Sequence, residues 1–186
     1  PLEDGVVTVS RSSGSHRFPA QIMLVAAMNP CPCGFYGDPQ KPCSCGVHQV
    51  FRYRNRISGP MLDRIDLHVQ VPRIPFEKLS GLTEGENSAT VRARVQAARD
   101  RQNSRFQNEK IKTNAEMSSP FVKKYCEIGE DSQELLKSAV QQMNLSGRAF
   151  YRILKLARTI ADLSDEENIS IAHVAEAIQY RERKDE

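Results

Sequence analysis

The feature that most limits how this chain folds is a short segment that holds four of its five cysteines. Cys31, Cys33, Cys43 and Cys45 form two C-x-C pairs, and the Gly- and Pro-rich residues among them favour a loop without a core of its own. Four thiolates in two close pairs suit a tetrahedral, structural Zn²⁺, which would order such a loop, although C-x₂-C pairs are the commoner spacing. His48 is an alternative fourth ligand, and free thiols are the competing interpretation.

Composition narrows the class of protein. The 186 residues are 39% hydrophobic and 26% charged, as in globular proteins of one or two domains. The longest apolar run, Ile22 to Met28, is far too short to cross a bilayer, and no secretory leader pattern opens the sequence. These observations predict a cytoplasmic protein with no membrane partner, in which disulfides are disfavoured.

The positive charge is placed unevenly. Residues 1 to 75 carry eight Lys and Arg against five Asp and Glu, whereas the remainder carries 18 of each sign. The whole excess of the formal charge of +3 therefore surrounds the cysteine segment. This placement favours an anionic partner, either nucleic acid or nucleotide, for the N-terminal part.

Hydrophobic patterning predicts an α/β part in residues 1–75 and an all-helical part in residues 83–186, separated by the segment "PRIP" and "LSGLTEGENS". The predicted N-terminal elements are a hairpin with its tip near Gly14, a buried parallel strand over Gln21 to Ala27, a helix over Val47 to Ile57, a further turn over Met61 to Ile65, and a strand over Asp66 to Val71. The predicted helices that follow are Ala89 to Phe106, Ser119 to Cys126, Ser132 to Asn144, one N-capped by Ser146 that runs to Leu163, and one N-capped by Ser170 that runs to Arg181.

Several polar residues of the N-terminal part are candidates for chemistry. Asn29 directly follows the predicted buried strand, where α/β folds place ligand sites, but by spacing alone an Asn that begins a turn before Pro30 is the simpler interpretation. The alternating Arg52, Arg54 and Arg56 are either a solvated helix surface or a phosphate-binding patch. Arg64, between two aspartates, is by itself more typical of a structural ion pair.

The helical part offers one further cationic surface. Arg148, Arg152 and Lys155 share one face of the helix that starts at Ser146, and a solvated face is the simpler interpretation. Arg148 nevertheless lies in the first turn, where the helix dipole disfavours a cation, and this cost invites a functional explanation. Cys126, alone on its helix, is interpreted as a core thiol.

Three segments together resemble a known family. "MNPCPCG", "SGPMLDRIDLHV" and "SGRAFYRILKLARTIADL" are similar to the C-terminal part of magnesium-chelatase-like AAA+ ATPases, in particular their competence-protein group (ComM, or YifB). The resemblance covers essentially the whole chain. It implies the C-terminal part of an AAA+ α/β core (residues 1–75) followed by a helical lid and a C-terminal helical region.

The resemblance also implies roles for individual residues. Asn29 matches the sensor 1 asparagine, Arg64 the arginine finger that reaches a neighbouring subunit's nucleotide, and Arg148 the sensor 2 arginine, with Arg152 as a second candidate. The hairpin near Gly14 matches the hairpin that contacts DNA in the pore of related helicases. Arg11, helped by Arg17, would make that contact.

The sequence departs from the family in one respect. It contains no G-x-x-x-x-G-K-[ST] phosphate loop, and no apolar strand that ends in the acidic pair needed to hold Mg²⁺. The resemblance implies that both lie upstream of Pro1, so this polypeptide by itself is expected neither to bind ATP tightly nor to hydrolyse it.

The activity expected of the whole protein is hydrolysis of ATP, with Mg²⁺, in a hexameric ring of identical subunits that acts on DNA as a helicase or branch-migration motor. Two alternatives stay open at this point. One is an ATPase subunit of magnesium chelatase, against which the cysteine cluster argues. The other is a non-enzymatic, zinc-dependent nucleic-acid-binding module.

Overall fold

The computed structural model describes Leu2, residues 4–74 and residues 85–181, and its chain divides into two compact units, Pro1–Ile65 and Asp66–Glu186. The boundary predicted within "LSGLTEGENS" lies for the most part outside the described residues. Each unit has its own architecture. The first combines a hairpin, the cysteine loop and two short helices, and the second is a helical bundle around one core.

The first unit opens with the predicted hairpin. Strands β1 (Val6–Arg11) and β2 (Gly14–Pro19) pair antiparallel, with Arg11 opposite Gly14 at the tip. Gly14 has φ of 137°, a backbone conformation that L-residues avoid, so glycine lets the chain reverse after only two loop residues. The base is closed by a hydrogen bond of 2.8 Å from the N–H of Ala20 to the carbonyl of Gly5.

Both other predicted strands are wrong. Among the described residues the only sheet is this hairpin, so Gln21 to Ala27 has no partner strand to satisfy its backbone. Its side chains are exposed rather than buried, Met23 by 91% and Val25 by 84%. An apolar run indicates which residues favour burial, but it forms a strand only where a neighbouring strand can pair with it. The described residues contain no such neighbouring strand.

The second predicted strand, Asp66 to Val71, is likewise irregular backbone. Its apolar residues Leu67, Val69 and Val71 are exposed, so the alternation does not correspond to a buried face. The N–H of His68 donates to the carbonyl of Tyr180 at 2.8 Å, so the segment is attached to the last helix instead of to a sheet.

The helices agree with the sequence pattern to within a few residues at their ends. Helices α1 (Val47–Arg54) and α2 (Gly59–Leu62) belong to the first unit. The second unit contains α3 (Ser88–Arg105), α4 (Ser119–Tyr125), α5 (Glu130–Gln142), α6 (Gly147–Leu163) and α7 (Ile171–Gln179), with a 3₁₀ turn at Asn114–Glu116. Ser146 caps α6 as predicted, because its side chain accepts a hydrogen bond from the N–H of Ala149.

The second unit holds the main hydrophobic core, built around the apolar face of α6. Ile153, Ala157 and Ala161 on that face are fully buried, and Leu136 from α5 and Val174 from α7 pack against them. The resulting chain is mixed α and β, with seven α-helices and one two-stranded sheet among the described residues. The parallel sheet expected of an AAA+ core is not formed by those residues.

Candidate metal centre and arginine sites

The four predicted cysteine ligands converge on one point. Their Sγ atoms all lie within 4.8 Å of one another. The Sγ of Cys31 is 3.3 Å from that of Cys33 and 3.7 Å from that of Cys43, and the Cys33 to Cys43 distance is 3.5 Å. A tetrahedral zinc with bonds of about 2.3 Å would require edges of about 3.8 Å. The distances among the sulfurs of Cys31, Cys33 and Cys43 are therefore within about half an ångström of those that this ion requires.

The loop reaches this geometry through two tight turns. The N–H of Gly34 donates to the carbonyl of Cys31 at 3.0 Å, and Gly34 has φ of 82°. The carboxylate of Asp38 then accepts hydrogen bonds from the backbone N–H groups of Gln40 and Lys41, which reverses the chain toward the second C-x-C pair. Glycine at position 34 is required because the backbone there is left-handed.

Backbone N–H groups point at the first pair of sulfurs. Hydrogen bonding by the N–H of Phe35 lowers the pKa of Cys33 to about 5. Burial raises the pKa of Cys31, but hydrogen bonds from the N–H groups of Tyr36 and Phe35 bring it below the ordinary thiol value. The first C-x-C pair is therefore prepared to carry negative charge.

The second pair behaves in the opposite way. The N–H of Cys45 lowers the pKa of Cys43, but burial and the neighbouring sulfurs of Cys33 and Cys31 outweigh it and raise this pKa to about 12. Burial raises the pKa of Cys45 as well. Four sulfurs this close cannot all ionise next to one another unless a cation offsets their charge, and a divalent metal is the group that does so.

The other thiol and the alternative ligand lie elsewhere. His48 is exposed in the first turn of α1 and is not part of the cluster that the described residues form. Cys126 is 4% exposed at the end of α4 within the helical core, as the sequence predicts. Its burial raises its pKa to about 11, so this thiol stays protonated and unreactive near neutral pH.

The sensor and finger candidates of the first unit lie at its surface. Asn29 is exposed, two residues before Cys31, and does not follow a regular strand. Arg64 is half-buried, and its Nη1 donates to the carbonyl of Pro60 at 2.8 Å, which is a backbone contact. Of the alternating arginines, Arg52 is exposed on α1, and Arg56 stacks over the ring of Tyr53 at 5.8 Å.

The three cationic residues on the face of α6 differ in their exposure and in their contacts. Arg148 is exposed in the first turn, a turn that contains no acidic residue. The side chain of Arg152 is only 18% exposed and pairs with the carboxylate of Asp66 at 2.6 Å. Lys155 donates to the carbonyl of Ala115 at 2.9 Å, and burial lowers its pKa.

The hairpin register separates the two predicted DNA contacts. Side chains alternate between the faces of a ribbon, so Arg11 shares a face with Val9 and Phe18, whereas Arg17, opposite Thr8, lies on the other face. Every residue of the two strands is exposed except Val6 and Val7 at the base of the hairpin, which are partly buried. Arg11 and Arg17 are therefore not adjacent on one surface.

Sequence reasoning missed a buried ionic network in the second unit. The carboxylate of Asp162, which has no exposed side-chain surface, accepts from Arg105 at 2.5 and 2.8 Å and from Asn114 at 2.8 Å. Arg158 lies 3.2 Å from it and also donates to the carbonyls of Glu166 and Glu167. The spacing of Arg158 and Asp162 inside the apolar face of α6 was the available indication.

Together these features define a class: a two-part chain with a four-cysteine loop that could hold a metal ion in one part and a compact helical domain in the other. The chain belongs to the magnesium chelatase ChlI family. The family described as "Magnesium chelatase, subunit ChlI C-terminal" matches residues 85–181, and that described as "Magnesium chelatase, subunit ChlI" matches residues 1–79. Membership is consistent with part of an AAA+ ATPase.

Individual relatives support the same grouping. The chain is 42% identical to competence protein ComM of Haemophilus influenzae and to protein YifB of Escherichia coli, in both cases over 97% of this chain and 35% of the relative. It is 37% identical to protein Mb2921c of Mycobacterium bovis over 98% of this chain and 36% of that protein. The chain thus spans about a third of the length of the curated relatives it matches. No helix among the described residues is long and apolar enough to cross a membrane.

Proposed function

We propose that this chain is the sensing part of a DNA-acting AAA+ ATPase of the helicase or branch-migration type, which completes ATP sites shared between the subunits of a hexameric ring in the cytoplasm. Family membership supports the ATPase class, and the similarity to a competence protein supports action on DNA. The sequence contains no phosphate loop. ATP and Mg²⁺ would therefore be bound mainly by residues that do not belong to this sequence.

The observation that carries the proposal is the position of Arg148. This exposed guanidinium lies in the first turn of α6, which contains no acidic residue and where the N–H ends of the helix favour an anion. A nucleotide phosphate near this helix end would gain from both the dipole and the guanidinium. As a sensor 2 residue, Arg148 would report whether the γ-phosphate is present.

The contacts of Arg152 favour a different role for that residue. Its guanidinium is largely buried and pairs with Asp66, so nucleotide binding would have to break an existing ion pair. We assign Arg148 as the nucleotide-binding arginine and Arg152 as a positioning residue, which attaches the segment after Arg64 to α6.

Asn29 of one subunit and Arg64 of its neighbour would act on the same nucleotide. The amide of Asn29 would orient the attacking water in its own subunit, while Arg64 would reach the neighbouring subunit and stabilise the charge that develops on the γ-phosphate. The hydrogen bond from Arg64 to the carbonyl of Pro60 would help to hold this side chain at the end of α2.

The hairpin and the cysteine loop complete the proposal. Arg11, at the hairpin tip, is the residue placed to contact DNA first, and Arg17 would contact it from the other face of the ribbon. A structural Zn²⁺ on Cys31, Cys33, Cys43 and Cys45 would neutralise the thiolates and order the loop that follows Asn29. The ion would have no part in the chemistry.

A subunit-mixing experiment on the whole protein tests the ATPase proposal. The Arg64→Ala change is expected to lower kcat by about 10³-fold or more without abolishing ATP binding, because fingers of this kind contribute on the order of 10³–10⁵. Asn29→Ala is expected to abolish ATP hydrolysis at the nucleotide site of the subunit that carries the change. Mixing the two inactive variants should restore part of the turnover, since some sites then combine an intact Asn29 with a neighbour's intact Arg64.

Two results would contradict this proposal. If Arg64→Ala hydrolyses ATP at the wild-type rate, Arg64 is not a finger. If the whole protein shows no ATP turnover while this chain binds DNA, the alternative of a zinc-dependent nucleic-acid-binding module is correct. The isolated chain, which is expected to show no turnover, is the baseline for both measurements.

A further inference from the structure

Helix α3 is unusual for its length because it is polar nearly all round. Only Ala98 and Gln102 of its 18 residues are buried. The helix contains five arginines and no lysine, and Asp100 is its one acidic residue, so it carries a net charge of +4. Packing against a hydrophobic core does not explain why a helix with so little buried surface contains so many arginines.

Three of the five arginines have structural partners. Arg94 forms a bidentate ion pair with Glu86, with both hydrogen bonds at 3.0 Å, and Arg101 forms an ion pair with Asp165. Arg105 belongs to the buried network around Asp162. These three side chains leave the helix on the sides that face the rest of the unit, so their charges are accounted for within the chain.

The other two arginines lie together on the solvent side. Arg92 and Arg99 are exposed and seven residues apart, which places them on one face about 10.5 Å from each other along the helix axis. Asn103, also exposed, extends the same line by one turn. We call Arg92, Arg99 and Asn103 the arginine face.

Helical neighbours do not neutralise this face. A solvated helix is commonly stabilised by acidic residues three or four positions from each cation, but Arg92 and Arg99 have only Ser, Ala, Val, Gln and Asn at those positions. The carboxylate of Asp100 accepts a hydrogen bond from Gln96 on the adjoining flank. The face therefore presents two guanidinium groups without an acidic helical neighbour, and none of the described residues forms an ion pair with them.

We propose that the arginine face binds the phosphodiester backbone of nucleic acid, as a second contact in addition to the hairpin. The proposal rests on the DNA partner of the proposed function, but not on ATP hydrolysis. Guanidinium groups bind phosphate oxygens through two parallel hydrogen bonds, which favours arginine over lysine for this purpose. With about 10.5 Å between them along the helix, the two guanidinium groups are far enough apart to contact separate phosphates of one strand.

The test compares two double variants of the full chain that remove equal charge from the same helix. Arg92→Gln with Arg99→Gln removes the arginine face, and Arg94→Gln with Arg101→Gln removes two arginines that are paired on other sides. Both sets are exposed or partly exposed, so far-UV circular dichroism should confirm that each variant folds. Binding to a fluorescein-labelled single strand and to its duplex is measured by fluorescence anisotropy at several salt concentrations.

The arginine-face variant is expected to bind about tenfold more weakly at low salt. The slope of log K against log salt should fall by about 1.4 for the single strand and about 1.8 for the duplex, as for two lost phosphate contacts. The control variant should change much less. Equal losses in both variants, or no loss in the first, would overturn the proposal, as would a wild-type chain that binds neither probe or binds polyglutamate as tightly as DNA.

A third variant separates this inference from the proposed function. Arg11→Gln with Arg17→Gln removes the hairpin contacts. If that variant loses DNA binding while the arginine-face variant binds normally, the hairpin role stands and the arginine face is ruled out. If only the arginine-face variant loses binding, the second contact stands and the hairpin assignment is wrong.

Discussion

At the residue scale, Asp162 has the most demanding environment in the chain. Its carboxylate is fully enclosed and faces two guanidinium groups, of Arg105 and Arg158. Asn114 adds a hydrogen bond to the same carboxylate and also contacts Thr159, which ties α3, the 3₁₀ turn and α6 together. Removing one partner from a buried ionic group leaves the others without compensation, and this costs far more than the pair itself contributes.

We therefore expect Asp162→Ala to lower the free energy of unfolding by about 3–5 kcal/mol. Urea unfolding followed by far-UV circular dichroism measures it, since the chain contains no tryptophan for fluorescence. The control is Asp165→Asn, which removes the exposed, charged partner of Arg101 but tolerates the left-handed backbone at this position (φ of 65°), and it should cost less than about 1 kcal/mol. Similar losses in the two variants would show that the network contributes no more than a surface pair.

At the element scale, the helices and the hairpin were predictable because their signals are local. A serine cap and an apolar face of period 3.6 located α6, and turn residues around Gly14 located the hairpin. The strands over Gln21 to Ala27 and Asp66 to Val71 were not predictable, because pairing depends on residues distant in sequence. The network around Asp162 was missed for the same reason.

The cysteine loop is the element whose order would depend most on a bound metal ion. Spacing alone identified all four sulfurs, but not their separation or the opposite shifts of the two C-x-C pairs. Of the loop itself only Cys31 is buried, so packing contributes little to its order. We infer that the metal, rather than a core, fixes the loop.

We expect the purified chain to contain one zinc per molecule by elemental analysis, and Cys33→Ser to reduce this content strongly. After chelation, the four loop cysteines should react with a thiol reagent, whereas buried Cys126 should not until the helical unit unfolds. Cys126→Ser is the control and should keep its zinc. A full set of five reactive thiols in the untreated native chain would contradict the metal site.

At the scale of the whole molecule, the two units differ in how much core they possess. In the described part of the first unit, Cys31 and Val50 are the buried hydrophobic residues, whereas the second unit encloses a continuous cluster around α6. Cooperative unfolding requires such a cluster. The second unit is therefore the part of the chain expected to fold by itself.

The contacts of Asp66 and His68 determine where that independent unit begins. The family match to the helical part starts at residue 85, but the ion pair of Asp66 with Arg152 and the hydrogen bond from His68 to Tyr180 attach an earlier segment to it. We expect a chain of residues 66–186 to be more stable than one of residues 85–186 by about 1–2 kcal/mol, the sum of one partly exposed ion pair and one backbone hydrogen bond. Urea unfolding followed by circular dichroism compares the two, and Asp66→Ala in the longer chain should remove only the ion-pair share. Equal midpoints for the two chains would mean that the earlier segment contributes nothing to the helical unit, and would leave Arg152 without the positioning role assigned to it.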